Sequence, residues 1–148
     1  MIILSIFSAT ILSYAAELPA ERRLPLEQQI TLLKLNIQTN NEELNKIRQE
    51  LMSMKIFIMR MHENGAIEVS CGPIAQATSI TITDEYEVDV KIASCLSNLR
   101  PLEQWKTIEL VTDYLQTYTT LLKQQKKLKT LEKELSRYKK LPHENRIS

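Results

Sequence analysis

Apolar positions step through the first half of the chain by fours and threes: Leu26, Ile30, Leu33, Ile37, Asn40, Leu44, Ile47, Leu51, Met54, Ile58 and Met61. Ten of these eleven are apolar, and neither Gly nor Pro interrupts the run from Leu26 to His62. A stripe this narrow, kept up for about five heptads, has the period of a coiled-coil seam. The spacing predicts one helix over residues 24–62, roughly 55 Å long at about 1.5 Å per residue. Asn40 is the polar member of the seam; such a residue costs stability and fixes register.

A second run follows Pro101, a residue suited to the first helical position, with Glu103 in the acidic first turn. Ile108, Val111, Leu115, Tyr118, Leu122, Gln125, Leu128, Leu131, Leu135 and Tyr138 continue towards Pro142, which predicts a helix over 101–141 and a short tail over 142–148. Three consecutive steps of three around Gln125 drop a residue from the heptad count and overwind a left-handed coil, so the seam loosens there.

Between the runs the period changes to two. Ile67, Val69 and Cys71 alternate with Ala66, Glu68 and Ser70; Ile74, Ile80 and Ile82 share a face beyond the Gly72-Pro73 break; Val88, Val90 and Ile92 alternate with Glu87, Asp89 and Lys91. Alternation, β-branched residues and breakers at the joins predict strands within a hub over 66–95. The fold class is mainly α with a small β hub, in which a reversal at the hub lays the seam residues Leu26, Ile30, Leu33, Ile37, Leu44, Ile47 and Leu51 against Val111, Leu115, Leu122, Leu128 and Leu135. Two thin rods cover little of such a sheet. The expectation is that Ile67, Val69, Ile80, Ile82, Val88, Val90 and Ile92 form a subunit interface.

Helix, short strands and helix, with "EVDVKIA" leading into "SCLSNLRPLEQWKTIE", resembles the alpha-type prefoldin subunits. Val90, Ile92 and Ala93 fall on that family's hydrophobic strand end, Thr83-Asp84 on a turn, and Pro101 and Glu103 at the start of its second helix. Ala93 and Cys95 stand where the family carries glycines, and Leu96 and Ser97 where it carries an aromatic pair. The resemblance implies a coiled-coil hairpin on a β hub, hetero-oligomeric assembly with other prefoldin-type subunits, and ATP-independent holding of unfolded client proteins in the cytoplasm.

Composition changes this picture at the N-terminus and at the cysteines. "MIILSIFSATILSYAA", residues 1–16, is uncharged and mostly apolar, as in a secretory signal with a small-residue cleavage site, but has no Lys or Arg ahead of the apolar run. It is short of the roughly 20 residues that span a bilayer, so membrane contact is expected only if the segment is a retained anchor. In an exported chain Cys71 and Cys95 are candidates for a disulfide; in a cytosolic one they stay reduced. The second reading is therefore an exported coiled-coil structural or adaptor protein with a Cys71–Cys95 bond.

Net charge is +1, which gives no overall argument for nucleic acid, and none is expected as a partner. The charge is nevertheless polarised. Residues 66–120 carry eight acidic side chains against Lys91, Arg100 and Lys106, whereas residues 121–148 carry nine basic ones against Glu132, Glu134 and Glu144. The basic run reads as a solvated helix face. No nucleotide loop, metal-ligand spacing or nucleophile constellation occurs, so neither an enzyme nor a cofactor is expected. "HEN" appears at His62 and His143 without a second ligand at helical spacing, and Trp105 reads as an anchor against the sheet.

Overall fold

The computed structural model describes residues 23–72 and 79–147, with side chains from Pro25 to Tyr138 in those ranges. The segment 1–16, and Ile74, Ala75 and Ala77 of the expected hub, lie outside the described residues. The elements in chain order are α1 (Arg23–Ser53), β1 (Ile56–Met61), β2 (Ile67–Cys71), β3 (Ile80–Ile82), a 3-10 turn (Glu85–Glu87), α2 (Val88–Lys91), α3 (Ala93–Leu96) and α4 (Pro101–Ile147). The fold is mainly helical with one three-stranded antiparallel sheet of order β1-β2-β3.

The chain forms two compact units. One joins the described residues up to Ile37 with those from Gln124; the other is Gln38–Lys123. In the first, Leu26 and Ile30 are buried, while Leu33, Ile37, Leu128, Leu135 and Tyr138 are half-buried. In the second, Leu44, Ile47 and Leu51 of α1 are buried together with Val111, Tyr114, Leu115, Tyr118 and Leu121 of α4. Leu122 is half-buried and Gln125 exposed, where the heptad count slips. The helices run in opposite directions within Gln38–Lys123, because Arg48 reaches Tyr114 whereas Met54 lies against Thr107.

The first helix is shorter than its apolar spacing predicts. It ends at Ser53, and Ile58 and Met61 belong to β1 rather than to the seam. Met54 N–H and Lys55 N–H donate to the carbonyls of Leu51 and Met52, closing the last turn, and Lys55 then takes φ 61°. A non-glycine residue in the left-handed region breaks the helix without any Gly or Pro to announce it. "IFIM" favours a strand through its β-branched and aromatic side chains. At the other end, α4 continues past Pro142 to Ile147, so the expected tail is helical.

A bulge between Ile58 and Arg60 leaves Met59 without a β2 partner. The hairpin closes through His62–Ala66: Gly65 N–H donates to the His62 carbonyl, His62 N–H to the Ala66 carbonyl, and Asn64 Oδ1 accepts from Ala66 N–H. Gly65 sits at φ 97°, the left-handed position that completes a three-residue hairpin loop. The first "HEN" therefore lies in a turn and not on a helix, and the side chain of His143 lies outside the described residues.

Register pairs Ile56 with Cys71, Ile58 with Val69, Val69 with Ile80 and Ile67 with Ile82, which places these residues on one face. The expectation that this face needs another subunit is overturned: Ile56, Ile67, Val69 and Ile82 are all buried within the single chain. The cover comes in part from residues expected to form a further strand. Val88 and Val90 are helical instead, Ile92 caps their helix, and α2 packs against β3. Alternation at 88, 90 and 92 concealed the i, i+4 pair Val88 and Ile92, continued by Leu96, all of them buried. Val90 points the other way and is 74% exposed. Ile80 is half-buried.

A disulfide joins Cys71 at the end of β2 to Cys95 in α3, with 5.7 Å between the Cα atoms. It closes a loop with a sequence separation of 24, and removing such a link costs about 3–4 kcal/mol in the chain-entropy account. Reduction, or Cys71→Ser with Cys95→Ser, is expected to lower the stability measured by urea unfolding by about that amount. An unchanged unfolding midpoint would show that α3 holds its place over β2 without the bond.

Candidate interaction surfaces

Among the described residues no group of three or more His, Cys, Asp or Glu side chains is placed to hold a metal ion, and no helix is long and apolar enough to cross a membrane. The polar chemistry of Gln38–Lys123 gathers instead where α1, β1 and α4 meet. Arg48 Nη2 donates to Tyr114 Oη at 2.7 Å, and its guanidinium carbon lies 5.8 Å from the centroid of the Tyr114 ring. Tyr114 Oη in turn donates to Met61 Sδ at 3.1 Å. Burial pushes the Tyr114 phenol above its ordinary pKa, opposed by the hydrogen bond and charge of Arg48.

One turn further along α4, Tyr118 donates to the His62 carbonyl and pins the hairpin loop to the helix. Burial again raises the phenol, with further contributions from Tyr114 and Glu63. His62 Nε2 lies 2.8 Å from Glu68 Oε2, and Arg60 Nε lies 3.6 Å from the same oxygen. Register places Arg60 and Glu68 on the opposite face of the sheet from Ile67 and Val69. The arrangement fixes elements in place; it offers no nucleophile beside a base and no open metal position.

The start of α4 is fixed differently. Gln104 Nε2 donates to the carbonyls of Leu96 and Leu99, both at 3.0 Å, and satisfies backbone acceptors left at the end of α3. Thr107 is buried, donates to the Glu103 carbonyl at 2.7 Å and lies 3.2 Å from Met54 Sδ. On the outside of the same turns, Leu102 is 82% and Trp105 75% exposed. The expected anchoring of Trp105 against the sheet is therefore incorrect. Thr107 and Val111 take the inward positions, and Leu102 and Trp105, three apart, share a solvent-facing side.

Of the positions expected as a hub interface, Ile67, Val69, Ile82, Val88 and Ile92 are interior, Ile80 is half-buried and Val90 is exposed; outside that set, Leu102, Trp105 and Tyr86 reach solvent. Of the seam positions, Leu26, Ile30, Leu44, Ile47, Leu51, Val111 and Leu115 are buried. Sequence spacing missed Tyr114 because the heptad stripe runs through Val111 and Leu115 and leaves it one place off. Its companion Arg48 gives no local signal, since the pair is separated by 66 residues. Searches against protein-family models, curated proteins and solved structures found no match.

One substitution tests this network. Tyr114→Phe strips Arg48 of a hydrogen-bond acceptor in a part-buried setting and is expected to destabilise the chain by about 1.5–3 kcal/mol in urea unfolding. Because burial holds the phenol neutral in the folded state, the stability it contributes is present below the ordinary tyrosine pKa and lost as pH rises through the higher folded value. Tyr114→Phe should therefore also blunt the loss of stability expected from about pH 10 upward.

Asp113 has the opposite problem to a paired carboxylate: desolvation, then Glu109 and Glu43, raise its pKa. Its proton is held more tightly folded than unfolded, so stability falls as pH rises through that interval. Asp113→Asn, relieving like-charge repulsion, is expected to raise the neutral-pH melting temperature by about 1–2 °C.

Proposed function

We propose that this chain is an exported, non-enzymatic adaptor module in which a disulfide-stapled sheet carries long, oppositely directed helical arms, with the apolar segment 1–16 acting as its secretory signal. The observation that carries this reading is the Cys71–Cys95 bond. A disulfide that ties a three-residue edge region and two four-residue helices to the central strand persists in an oxidising compartment and is reduced in the cytosol. The work such a module does is surface contact. Leu102 and Trp105 supply an aliphatic and an aromatic anchor of the kind that dominates protein–protein binding energy.

A second reading keeps the chain among prefoldin-type chaperone or scaffold subunits, working in the cytoplasm with other subunits and unfolded clients. The observation in its favour is the order of the elements, helix, small antiparallel sheet and helix. The apolar face is already buried within the single chain, which takes away the reason for assembly through it, and on this ground the exported reading is preferred.

Mass spectrometry of the chain purified from its own cells, before and after alkylation, decides between them. A product beginning near Ala16 or Glu17 with no alkylated thiol is the expected result. An intact chain with both cysteines alkylated, recovered together with companion subunits, would overturn the exported reading in favour of the second.

A further inference from the structure

One groove within Gln38–Lys123 has no part in holding the fold. It has a volume of about 510 Å3 and runs between Thr83, Asp84, Glu85 and Tyr86 on one side and α4 residues, Gln116 and Lys123 among them, on the other. Tyr86 is 83% exposed, and Asp84 Oδ1 accepts from its N–H at 3.0 Å, which sets the backbone of the turn. The carboxylates continue past the groove: Asp84, Glu85, Glu87 and Asp89 fall within six residues, with Lys91 and Lys123 as the nearby cations in sequence and groove. An aromatic ring among carboxylates selects a side chain with an apolar stem and a cationic head, such as Lys or Arg.

The chain itself carries the complementary surface in its other unit. Lys126, Lys129, Lys133 and Arg137 are all exposed on α4. At about 100° per residue they fall within an arc of about 80°, so the four charges form a single stripe. Glu132 and Glu134 lie to either side of that arc. Acidic ridge and basic stripe thus reside in different units of one chain whose net charge is only +1, which favours attraction between copies over repulsion.

We propose that the groove and ridge from Thr83 to Asp89 bind the basic stripe Lys126–Arg137 of a second copy of this chain, so that copies associate head to tail. The contact joins unlike surfaces, and each copy therefore brings both a donor and an acceptor face. Exposed ion pairs are weak singly and strongly screened. Association is accordingly reversible, dependent on concentration and dependent on salt. The inference does not rely on the compartment in which the chain acts.

Sedimentation velocity on the full, oxidised chain tests it. Species larger than one chain are expected at about 0.02 M salt, where the screening length is long, and only single chains at about 0.5 M. Glu85→Lys with Glu87→Lys should weaken association about tenfold or more, and so should Lys126→Glu with Lys129→Glu and Lys133→Glu. Each reversed chain alone then presents two surfaces of like sign. Mixing the two in equal amounts pairs opposite signs again and should restore association, a result that misfolding of either variant cannot produce. Single chains at low salt, association that ignores salt, undiminished association of either reversed variant, or a mixture that fails to recover would each overturn the proposal.

Discussion

A three-stranded sheet with one apolar face has to hide that face, and the way this chain does so governs the rest of its structure. Ile56, Ile67, Val69 and Ile82 are brought to one side by the register of β1, β2 and β3. Complete burial of a side chain of this size is worth about 1.5–3 kcal/mol, so leaving the face open would forfeit several times the worth of any surface ion pair. The cover is local in sequence. The chain leaves β3, turns through Glu85–Glu87, and packs α2 against β3, while the Cys71–Cys95 bond ties α3 to the end of β2. Helices so short do not persist alone, because nucleation costs more than a single turn returns. The buried residues Val88, Ile92 and Leu96 and the Cys71–Cys95 bond supply what their length does not.

The polar contacts that tie α1 and α4 to the sheet gather where the helices meet it. Arg48, Tyr114 and Met61 come from a helix, another helix and a strand, and Tyr118 binds the hairpin loop through the His62 carbonyl. A partly buried guanidinium needs acceptors, and the phenol oxygen that serves it is itself kept neutral by burial. The sheet therefore cannot slide along α4 without breaking the bonds of Tyr114 to Met61 and of Tyr118 to His62. Gln104 plays the corresponding part at the other end, holding carbonyls from both Leu96 and Leu99.

The helices and the strands β2 and β3 were largely legible in the sequence, because a seven-residue repeat and a two-residue alternation each leave a periodic trace; β1 was not, being read as the end of the first helix. What was not legible came from places where two periods agree or where no breaker marks a change. Val88, Val90 and Ile92 satisfy both a strand and, through 88 and 92, one face of a helix; tertiary cover of β3 decides for the helix. Ile58 and Met61 keep the heptad spacing of α1 although the helix has already ended, since Lys55 adopts a left-handed conformation that ordinarily favours Gly. Trp105 looked like an anchor because large aromatics usually bury, yet Thr107 and Val111 occupy the inward side of that turn. Tyr114 and Arg48 escaped notice for a different reason: a pair 66 residues apart has no signature in one sequence.

The same reasoning separates interior from surface as places to look for function. Alternating isoleucines and valines between two rods suggested a sheet in need of partners, but a hydrophobic pattern reports only that a face must be covered, not by what. Once α2 and α3 provide the cover, the residues left to act on other molecules are the ones whose exposure has no structural reason. Leu102 and Trp105 are such residues, and so is Tyr86 beside its four neighbouring carboxylates. Exposed apolar and aromatic side chains forgo burial energy available to their neighbours. Single instances are ordinary at a protein surface; an aromatic in a groove next to concentrated charge, on a chain that carries the opposite charge elsewhere, is a combination that packing alone does not require. The division of acidic and basic residues along the chain, which sum to only +1, thereby acquires a physical meaning that neither the net charge nor the hydrophobic pattern conveys.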